Sequence, residues 1–250
     1  MSQPRKVMLS AVCAGFMAVA MGCSSTKAPQ RVELFNGKDL TGWHAMHNEN
    51  QWQVVGGVAL DPENRRHFTL TDGTGILVNG PRGQISDLVS SYEHGDCHAR
   101  IEYLVTEHSN SGIYFQGRYE IQILDSHGKA DDELKYGDNG GIYAFVGRDE
   151  PYPSNGYPPC VNASRAPGEW QYFDVVFRAP RFDAEGRKIE NARFLKVVHN
   201  GQLIHENAEL YAPTRGPMKN NEVAVGPLRL QGDHGAVAFR TVWIEPLNLD

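Results

Sequence analysis

The stretch YEIQILDSHG, residues 119–128, is the part of the sequence from which both the fold class and a candidate site follow. Apolar and polar residues alternate through YEIQIL, which is the period of a β-strand with one buried face. The polar face of this strand carries Glu120 and Gln122, and Asp125 and His127 follow just beyond it. Two acids and one base in so short a run indicate either surface residues or a reaction centre.

Similar strand patterns fill the rest of the chain, where helical periodicity is hard to find. Asn200-Gly201 stands between two of these patterns and is the dipeptide that a type I′ hairpin turn favours. Gly117 stands between two others and predicts a second hairpin. The 26 glycines and 14 prolines suit many short strands joined by turns. The sequence therefore predicts one all-β sandwich or jelly-roll domain over residues 31–250.

The first residues predict an export signal that is separate from the fold. Arg5 and Lys6 precede a short apolar run, which ends in the small residues of AMGC, residues 20–23. The run is too short and too rich in small residues for a transmembrane helix. We therefore assign residues 1–22 to a signal peptide and residues 23–30 to a flexible tether.

Cys23 directly follows Gly22 and resembles the lipobox cysteine of bacterial lipoproteins, although Ala20 stands where Leu is commonest. That resemblance implies cleavage before Cys23 and acylation of its thiol. Ser24 follows with no Asp beside it, which implies an outer-membrane lipoprotein on either side of that membrane. The membrane contact would then be the lipid anchor alone. A plain signal peptide with an incidental cysteine is the alternative.

Charge and cysteine content restrict the partners and the chemistry. The net charge is −6 and no basic run is present, so the sequence shows no footprint for nucleic acid. Of the four cysteines, Cys13 lies in the signal peptide and Cys23 takes the lipid. Cys97 and Cys160 remain, and in an oxidising compartment they form either a disulfide or two buried free thiols. The sequence leaves both alternatives open.

Several segments, in order from residue 32 to residue 247, resemble the 3-keto-disaccharide hydrolase domain family. The resemblance implies a concanavalin-like jelly roll of two curved antiparallel sheets, with sugar chemistry on the concave face. The segments that carry it are ELFNGKDLTGW (33–43), NSGIYFQGRYEIQILDSHG (110–128), APGEWQYFDVVFRAPRFDAEG (166–186), VVHNGQLIHEN (197–207) and PLRLQGDHGAVAFRTVWIEPL (227–247).

The acids around Glu120 do not fit an ordinary glucanase. Glu120, Gln122 and Asp125 have the spacing of the Glu-x-Asp-x-x-Glu strand of laminarinase-type glucanases, but an amide replaces the middle acid and a shorter Asp replaces the last Glu. A retaining glycosidase needs two carboxyl groups about 5–5.5 Å apart. Asp125 would reach the Glu120 side only if the strand bulged near Leu124. The substitutions therefore disfavour double displacement.

The ketone of a 3-keto-glycoside permits elimination instead. It acidifies the proton on carbon 2, so a base can remove that proton, the group on carbon 1 leaves, and water then adds to give net hydrolysis. This chemistry needs a base, a proton donor and donors for the enolate oxygen. The catalytic candidates are Glu120 as base or acid and Asp125 or His127 as its partner, with Gln122 as an amide donor in contact with the substrate.

Further polar residues are predicted to bind the substrate, namely Arg100, Tyr114, Arg118, Arg229 and His234. Arg118 lies on the Glu120 face by the two-residue period, and Arg229 and His234 resemble a family motif near the site. For each of them the alternative is a solvated face or a structural ion pair.

The sequence contains no convincing metal or nucleotide motif. DSHGKADDE, residues 125–133, lacks the residue order of a Ca²⁺ loop, and the histidines lack zinc spacing. Family analogy leaves a structural Ca²⁺ open without assigning its ligands. The expected partner is a small carbohydrate, and the expected protein is an enzyme. A non-catalytic carbohydrate-binding lipoprotein is the alternative, because one fold can serve both functions.

Overall fold

The computed structural model describes Met1 and residues 30–47, 50–147 and 156–249. In these residues the chain forms fifteen strands and one 3₁₀ helix, Asp131–Glu133. The strands, in chain order, are β1 (Val32–Glu33), β2 (Trp43–Ala45), β3 (Gln53–Leu60), β4 (Phe68–Val78), β5 (Leu88–His94), β6 (Cys97–Val105), β7 (Asn110–Phe115), β8 (Tyr119–Leu124), β9 (Gln171–Arg178), β10 (Arg181–Phe182), β11 (Lys188–Glu190), β12 (Ala192–His199), β13 (Gln202–Leu210), β14 (Gly226–Leu230) and β15 (Val237–Pro246).

Two antiparallel sheets contain most of the described strands. The large sheet has the order β13-β12-β9-β6-β15-β4-β3, and β1 pairs with β15 beside this path. The small sheet has the order β2-β5-β14-β7-β8, and β10 pairs with β11 separately. Strands far apart in the chain are neighbours, such as β6 with β15 and β7 with β14. This arrangement confirms the predicted all-β jelly-roll sandwich.

The two sheets pack against each other through an apolar core. On β8, the side chains of Tyr119, Ile121 and Ile123 are fully buried in the same cluster as Ile101 of β6 and Phe173 of β9. Alternate residues of β8 point to the other side of the sheet, as the strand period requires. Full burial of one such aliphatic side chain stabilises the fold by roughly 1.5–3 kcal/mol. The two isoleucines therefore anchor β8 to the large sheet.

Both predicted hairpin turns are present. Asn200 and Gly201 have φ values of 48° and 87° and join β12 to β13. Asn and Gly adopt this left-handed conformation at low cost, which explains their use in the turn. Gln116 and Gly117 have φ values of 53° and 65° and lie between β7 and β8.

The segment around Ile142 lies along the outer edge of β8. Ile142 pairs with Ile121 of β8 and, on its other side, with Tyr157. The Gln122 N–H donates to the Gly141 carbonyl oxygen at 2.8 Å. These bonds satisfy backbone groups of an edge strand that would otherwise be open to pairing with another chain.

The predicted signal peptide (residues 1–22) and tether (residues 23–30), with the predicted acylation site Cys23, lie outside the described residues except for Met1 and Gln30. Among the described residues, no helix has the length and apolar character needed to cross a membrane. The lipoprotein assignment therefore stays a prediction from the sequence.

Cys97 and Cys160 are both free thiols, so of the two alternatives that the sequence leaves open, the structure corrects the disulfide. Cys97 lies on the buried side of β6, where its sulfur is 3.4 Å from His94 Nδ1. Cys160 is exposed, and its thiol donates to the Leu203 carbonyl oxygen at 3.2 Å. One sulfur points into the core and the other lies at the surface, so a bond between them would require backbone movement. The alternative of two buried thiols holds for Cys97 alone.

A thiol reagent should distinguish these two cysteines in the native protein. Burial and the nearby charge of Asp96 raise the pKa of the Cys97 thiol, so Cys97 should react only after unfolding. Treatment with iodoacetamide and mass spectrometry of residues 31–250 should show a label on Cys160 under native conditions and on both cysteines in denaturant. Two unlabelled cysteines in denaturant without reductant would instead show a disulfide and contradict the structure.

Candidate active site

The polar residues of β8 collect on the outward face of the small sheet. The pairing of β7 with β8 is continuous along both strands, so alternate residues stay on one side. Glu120 and Gln122 therefore face away from the core. Tyr114 of β7 stands opposite Glu120, and Arg229 of β14 stands opposite Tyr114. Three neighbouring strands thus place a carboxyl, a phenol and a guanidinium in one row.

The Glu120 side chain is buried, with 2% of its surface exposed. It lies over Gly112 of β7, where an added Cβ would overlap the Glu120 Oε1 atom. The Glu120 N–H donates to Thr214 Oγ1 at 3.0 Å. With its amide nitrogen turned toward the carboxylate, Gln122 donates to Glu120 Oε1 at 3.0 Å and to the Ser111 carbonyl oxygen at 3.1 Å. The φ of Gly112 lies outside the left-handed region, so glycine at this position provides space.

Burial raises the pKa of the Glu120 carboxyl from its ordinary value of 4.5 to about 8. Loss of water around the charged form is the main cause. Asp87 and Asp233 raise the pKa further, whereas the Tyr114 hydroxyl and the charge of Arg229 lower it. Only about a tenth of such a carboxyl is ionised at pH 7. Glu120 is thus able to donate or accept a proton close to neutral pH.

Arg229 is held tightly by its surroundings. Its guanidinium carbon lies 3.5 Å from the centre of the Tyr114 ring, and Nη2 donates to the Gly216 carbonyl oxygen at 2.7 Å. Its Nε lies 3.5 Å from Asp87 Oδ2. Only 3% of the Arg229 surface is exposed, so the side chain is almost closed to a ligand. Arg229 therefore acts on the site through its charge and by fixing the Tyr114 ring.

Two loops close the site around Glu120. Tyr143, in the segment that covers the edge of β8, donates its N–H to the Glu120 carbonyl oxygen at 3.3 Å. The Arg215 N–H donates to the Ala144 carbonyl oxygen at 2.6 Å, so the two loops are bonded to each other. The Arg215 side chain is exposed and borders Glu120. Within the described part of the chain, its guanidinium makes no hydrogen bond or ion pair.

These loops and strands form a pocket that opens into a larger cleft. The Glu120 pocket encloses about 230 Å³ and the cleft about 530 Å³. The cleft alone has a size typical of small-ligand sites, and the Glu120 pocket is a smaller recess beside it. The Glu120 pocket is lined by Asn110, Tyr114, Glu120, Gln122, Tyr143, Arg215, Gly216, Gln231 and His234. The cleft shares Tyr114, Gly216, Gln231 and His234 with it and adds, among others, Met46, Gln84, Asp87, Arg229 and Asp233.

His234 stands at the junction of the Glu120 pocket and the cleft. Its Nδ1 lies 2.5 Å from Asp233 Oδ1 and 3.2 Å from Gln231 Nε2. A carboxylate at Nδ1 orients the imidazole ring and favours a proton on that nitrogen. The other ring nitrogen, Nε2, makes no hydrogen bond with the described residues, and His234 lines both the Glu120 pocket and the cleft.

The structure brings several of the predicted residues together and separates two catalytic candidates from them. Glu120, Gln122, Tyr114, Arg229 and His234 border the pocket or the cleft.

Asp125 and His127 lie elsewhere, which corrects their assignment as catalytic partners. No bulge occurs in the pairing of β8 near Leu124, so Asp125 is not carried to the Glu120 side. Asp125 Oδ2 instead accepts the His108 N–H at 2.9 Å, and His127 is exposed.

Two arginines predicted to bind the substrate, Arg118 and Arg100, line neither the Glu120 pocket nor the cleft. Arg118 donates to the Gln116 carbonyl oxygen at 2.7 Å and to Asn221, and it lines a separate cavity. Arg100 lies on β6 of the large sheet, with its guanidinium 3.7 Å from the centre of the Tyr172 ring. The two-residue period predicts the face of a strand on which a residue lies, but not the sheet that the strand joins. Arg100 is misplaced for this reason.

Among the residues of the site that the sequence analysis does not find are Asp87, Tyr143 and Arg215. Asp87 directly precedes β5, and Tyr143 and Arg215 lie in loops. None of them belongs to a strand pattern, so periodicity gives no signal for them. They reach the site through the pairing of β5 with β14 and through the loop contacts around Glu120.

No group of three or more His, Cys, Asp or Glu that could hold a metal ion occurs in residues 30–47, 50–147 and 156–249. The structural Ca²⁺ that the family analogy leaves open stays without assigned ligands.

Comparison with known proteins identifies the family. Residues 30–245 match the sequence model of the 3-keto-disaccharide hydrolase family, which is described as a 3-keto-alpha-glucoside-1,2-lyase-like domain. The chain belongs to this family. The resemblance found in the sequence is thereby confirmed. No curated protein matches the chain.

Solved structures of similar proteins support the same fold. A candidate glycosyl hydrolase from Parabacteroides distasonis is 25% identical, with a TM-score of 0.60, over 87% of this chain and 84% of its own. A second candidate glycosyl hydrolase from that organism is 18% identical, with a TM-score of 0.57, over 87% of this chain and 94% of its own. The second likeness concerns the fold alone.

Replacement of Gly112 by alanine should displace the Glu120 carboxyl and leave the fold intact. The added Cβ would overlap the flexible end of Glu120, and alanine adopts extended backbone without strain. In the Gly112→Ala variant, the Glu120 carboxyl should move toward water, and its pKa, measured by NMR of ¹³C-labelled glutamate, should fall from about 8 toward its ordinary value.

Gly57→Ala is the matched control. Gly57 also lies in a strand outside the left-handed region, and a Cβ there would meet Thr71 Cβ at 3.4 Å, an ordinary contact. This variant should leave the Glu120 pKa unchanged. An unchanged Glu120 pKa in folded Gly112→Ala would contradict the role given to Gly112.

Proposed function

We propose that this protein is an enzyme that cleaves 3-keto-glycosides by elimination, followed by addition of water, with Glu120 as the base. Membership of the 3-keto-alpha-glucoside-1,2-lyase-like family and the similarity to a candidate glycosyl hydrolase support a carbohydrate-active function. The specific reaction is inferred from the Glu120 pocket. We take the outward face of the small sheet to be the concave, sugar-binding face of the jelly roll.

The observation that carries this proposal is a lone buried carboxyl at the end of a pocket. Among the described residues that line the Glu120 pocket, Glu120 is the single acid. Asp87, in the adjoining cleft, accepts the Gly232 N–H at 2.9 Å and faces Arg229. Glycosidases of the two-carboxylate type need a second acid across the scissile bond. Removal of a carbon-bound proton needs one base and stabilisation of the enolate.

The surroundings of Glu120 suit a base that acts on the carbon 2 proton. A desolvated carboxylate with a pKa of about 8 accepts a proton more readily than one in water. As the proton leaves, negative charge develops on the ketone oxygen at carbon 3. Arg215, whose guanidinium makes no hydrogen bond or ion pair with the described residues, is the group that we assign to this oxygen.

His234 suits protonation of the leaving oxygen. The enolate returns its electrons, a double bond forms between carbons 1 and 2, and the bond from carbon 1 to the leaving oxygen breaks. The doubly protonated ring of His234 gives its Nε2 proton to that oxygen, and the neutral ring keeps its Nδ1 proton on Asp233. With the keto sugar in the Glu120 pocket and the leaving group in the cleft, His234 stands between them. Water then adds at carbon 1 and gives one proton to His234 Nε2, while Glu120 returns its proton to carbon 2.

Glu120→Gln should lower kcat/KM on a 3-keto-glucoside by at least about 100-fold, the usual scale for loss of a general base. The amide keeps the shape of the side chain and cannot accept the proton. An unoxidised glucoside should be a poor substrate for the wild-type protein, because its carbon 2 proton is not acidified. Asp125→Asn, the same change just outside the pocket, is the matched control and should retain activity.

The pH profile separates a base from an acid. If Glu120 is the base, kcat/KM should rise about tenfold per pH unit up to a pH near 8, because only the ionised fraction reacts. A rate that falls through the same range would make Glu120 the acid. Full turnover by Glu120→Gln would refute its role. Binding of 3-keto-glucosides by the wild type without turnover would favour the carbohydrate-binding alternative.

We also propose that the enzyme works in the cell envelope, attached to the outer membrane through a lipid on Cys23. The proposal is supported by the basic start, the apolar run and AMGC at residues 20–23. Metabolic labelling with a fatty acid in a bacterial host should mark the wild-type protein, and Cys23→Ser should carry no label. Equal labelling of both proteins would rule out acylation at Cys23.

A further inference from the structure

The cleft continues beyond His234 into a further cavity, which we call the basic pocket. It encloses about 390 Å³ and shares Gln84 and His234 with the cleft. Its charged and titratable lining residues are Arg66, His67, Arg82, Glu107, His108 and His234. A chain with a net charge of −6 thus places two arginines and three histidines around one cavity next to its candidate active site.

The two arginines of the basic pocket are not neutralised by the described protein. Arg66 and Arg82 are exposed, and their side chains make no hydrogen bond or ion pair in residues 30–47, 50–147 and 156–249. Glu107 lines the same cavity, but its Oε1 is bound by Arg65 Nε at 2.5 Å. Most other arginines pair with an acid, as Arg181 does with Asp96. The positive charge of the basic pocket is therefore available to a ligand.

Backbone contacts fix the two loops that carry these arginines. The Phe68 N–H donates to the Pro81 carbonyl oxygen at 2.8 Å, which places the loop of Arg66 beside the loop of Arg82. Gly83 lies so close to Gly235 that an added Cβ would overlap the Gly235 carbonyl oxygen. The loop of Arg82 thus packs directly behind His234.

We propose that the basic pocket binds an anionic group on the leaving part of the substrate, so that the preferred substrates are acidic 3-keto-glycosides. The inference rests on the proposed function, because it takes the keto sugar to occupy the Glu120 pocket. The leaving group then passes His234, follows the cleft and brings its anion to Arg66 and Arg82. Guanidinium groups bind carboxylate and sulfate oxygens in pairs of hydrogen bonds, and both anions fit this chemistry.

Kinetics with matched substrates test this proposal. The substrates are a 3-keto-glucosyl-glucose, a 3-keto-glucosyl-glucuronate and a 3-keto-glucosyl-glucose with one sulfate on the leaving sugar. The wild-type protein should show a kcat/KM at least about 10-fold higher for one of the acidic substrates, and the larger preference identifies carboxylate or sulfate as the anion. The preference should shrink in 0.5 M salt, because exposed charges are screened.

Variants connect the preference to the basic pocket. In the double variant Arg66→Gln and Arg82→Gln, the ratio of acidic to neutral kcat/KM should fall to about one. Lys196→Gln is the control, since Lys196 is an exposed cation on β12 of the large sheet, and it should keep the wild-type ratio. Equal kcat/KM for neutral and acidic substrates, or a preference that survives the double variant, would overturn the proposal.

A binding measurement separates failure of this inference from failure of the proposed function. Unoxidised glucosyl-glucuronate added to the ¹⁵N-labelled wild-type protein should shift the side-chain Nε–H resonances of Arg66 and Arg82, and glucosyl-glucose should not. Shifts of both resonances in a protein that turns over no 3-keto-glycoside would support the anion site and contradict the proposed reaction. Turnover of 3-keto-glycosides with no shift of these resonances and no preference for acidic substrates would support the reaction and contradict the anion site.

Discussion

The unbroken pairing of β8 with β7 is the constraint on which both the core and the candidate site depend. Because the register does not slip, Ile121 and Ile123 enter the sandwich, while Glu120 and Gln122 face the pocket. A shift by one residue would exchange the two sets and place a carboxyl in the apolar core. Tyr114, opposite Glu120, would lose its partner as well. The same hydrogen bonds thus define the fold and the position of the chemistry.

Burial of the Glu120 carboxyl lowers the free energy of unfolding at neutral pH. The folded carboxyl has a pKa of about 8 against an ordinary value of 4.5, so the folded state holds a proton that the unfolded state has lost between these pH values. The free energy of unfolding therefore falls as the pH rises through this window. The row formed by Tyr114 and Arg229 limits this cost, since both lower the pKa. The apolar core beneath β8 contributes the stability that offsets it.

The sequence predicts those features that depend on neighbouring residues. The period of β8 and the Asn200-Gly201 turn are local, and they predict the strand faces and the hairpin correctly. The absence of a bulge near Leu124 depends on pairing with β7, and so the sequence misplaces Asp125. Arg215 reaches the pocket through contacts between distant loops, for which periodicity has no signal. The core face, the central acid and the strand residues beside it were therefore predictable, whereas the loop walls formed by Tyr143 and Arg215 were not.

The segment around Ile142 has two roles, because it protects a strand edge and also lines the Glu120 pocket. It covers the edge of β8, and through Tyr143 it also forms a wall of the Glu120 pocket. A deletion or insertion that reshapes this wall would uncover backbone groups of an edge strand and promote aggregation. Changes in substrate preference through this loop are therefore limited by solubility. Evolution of new specificity in this architecture has more freedom on the far side of His234, where the walls of the basic pocket are loops between strands.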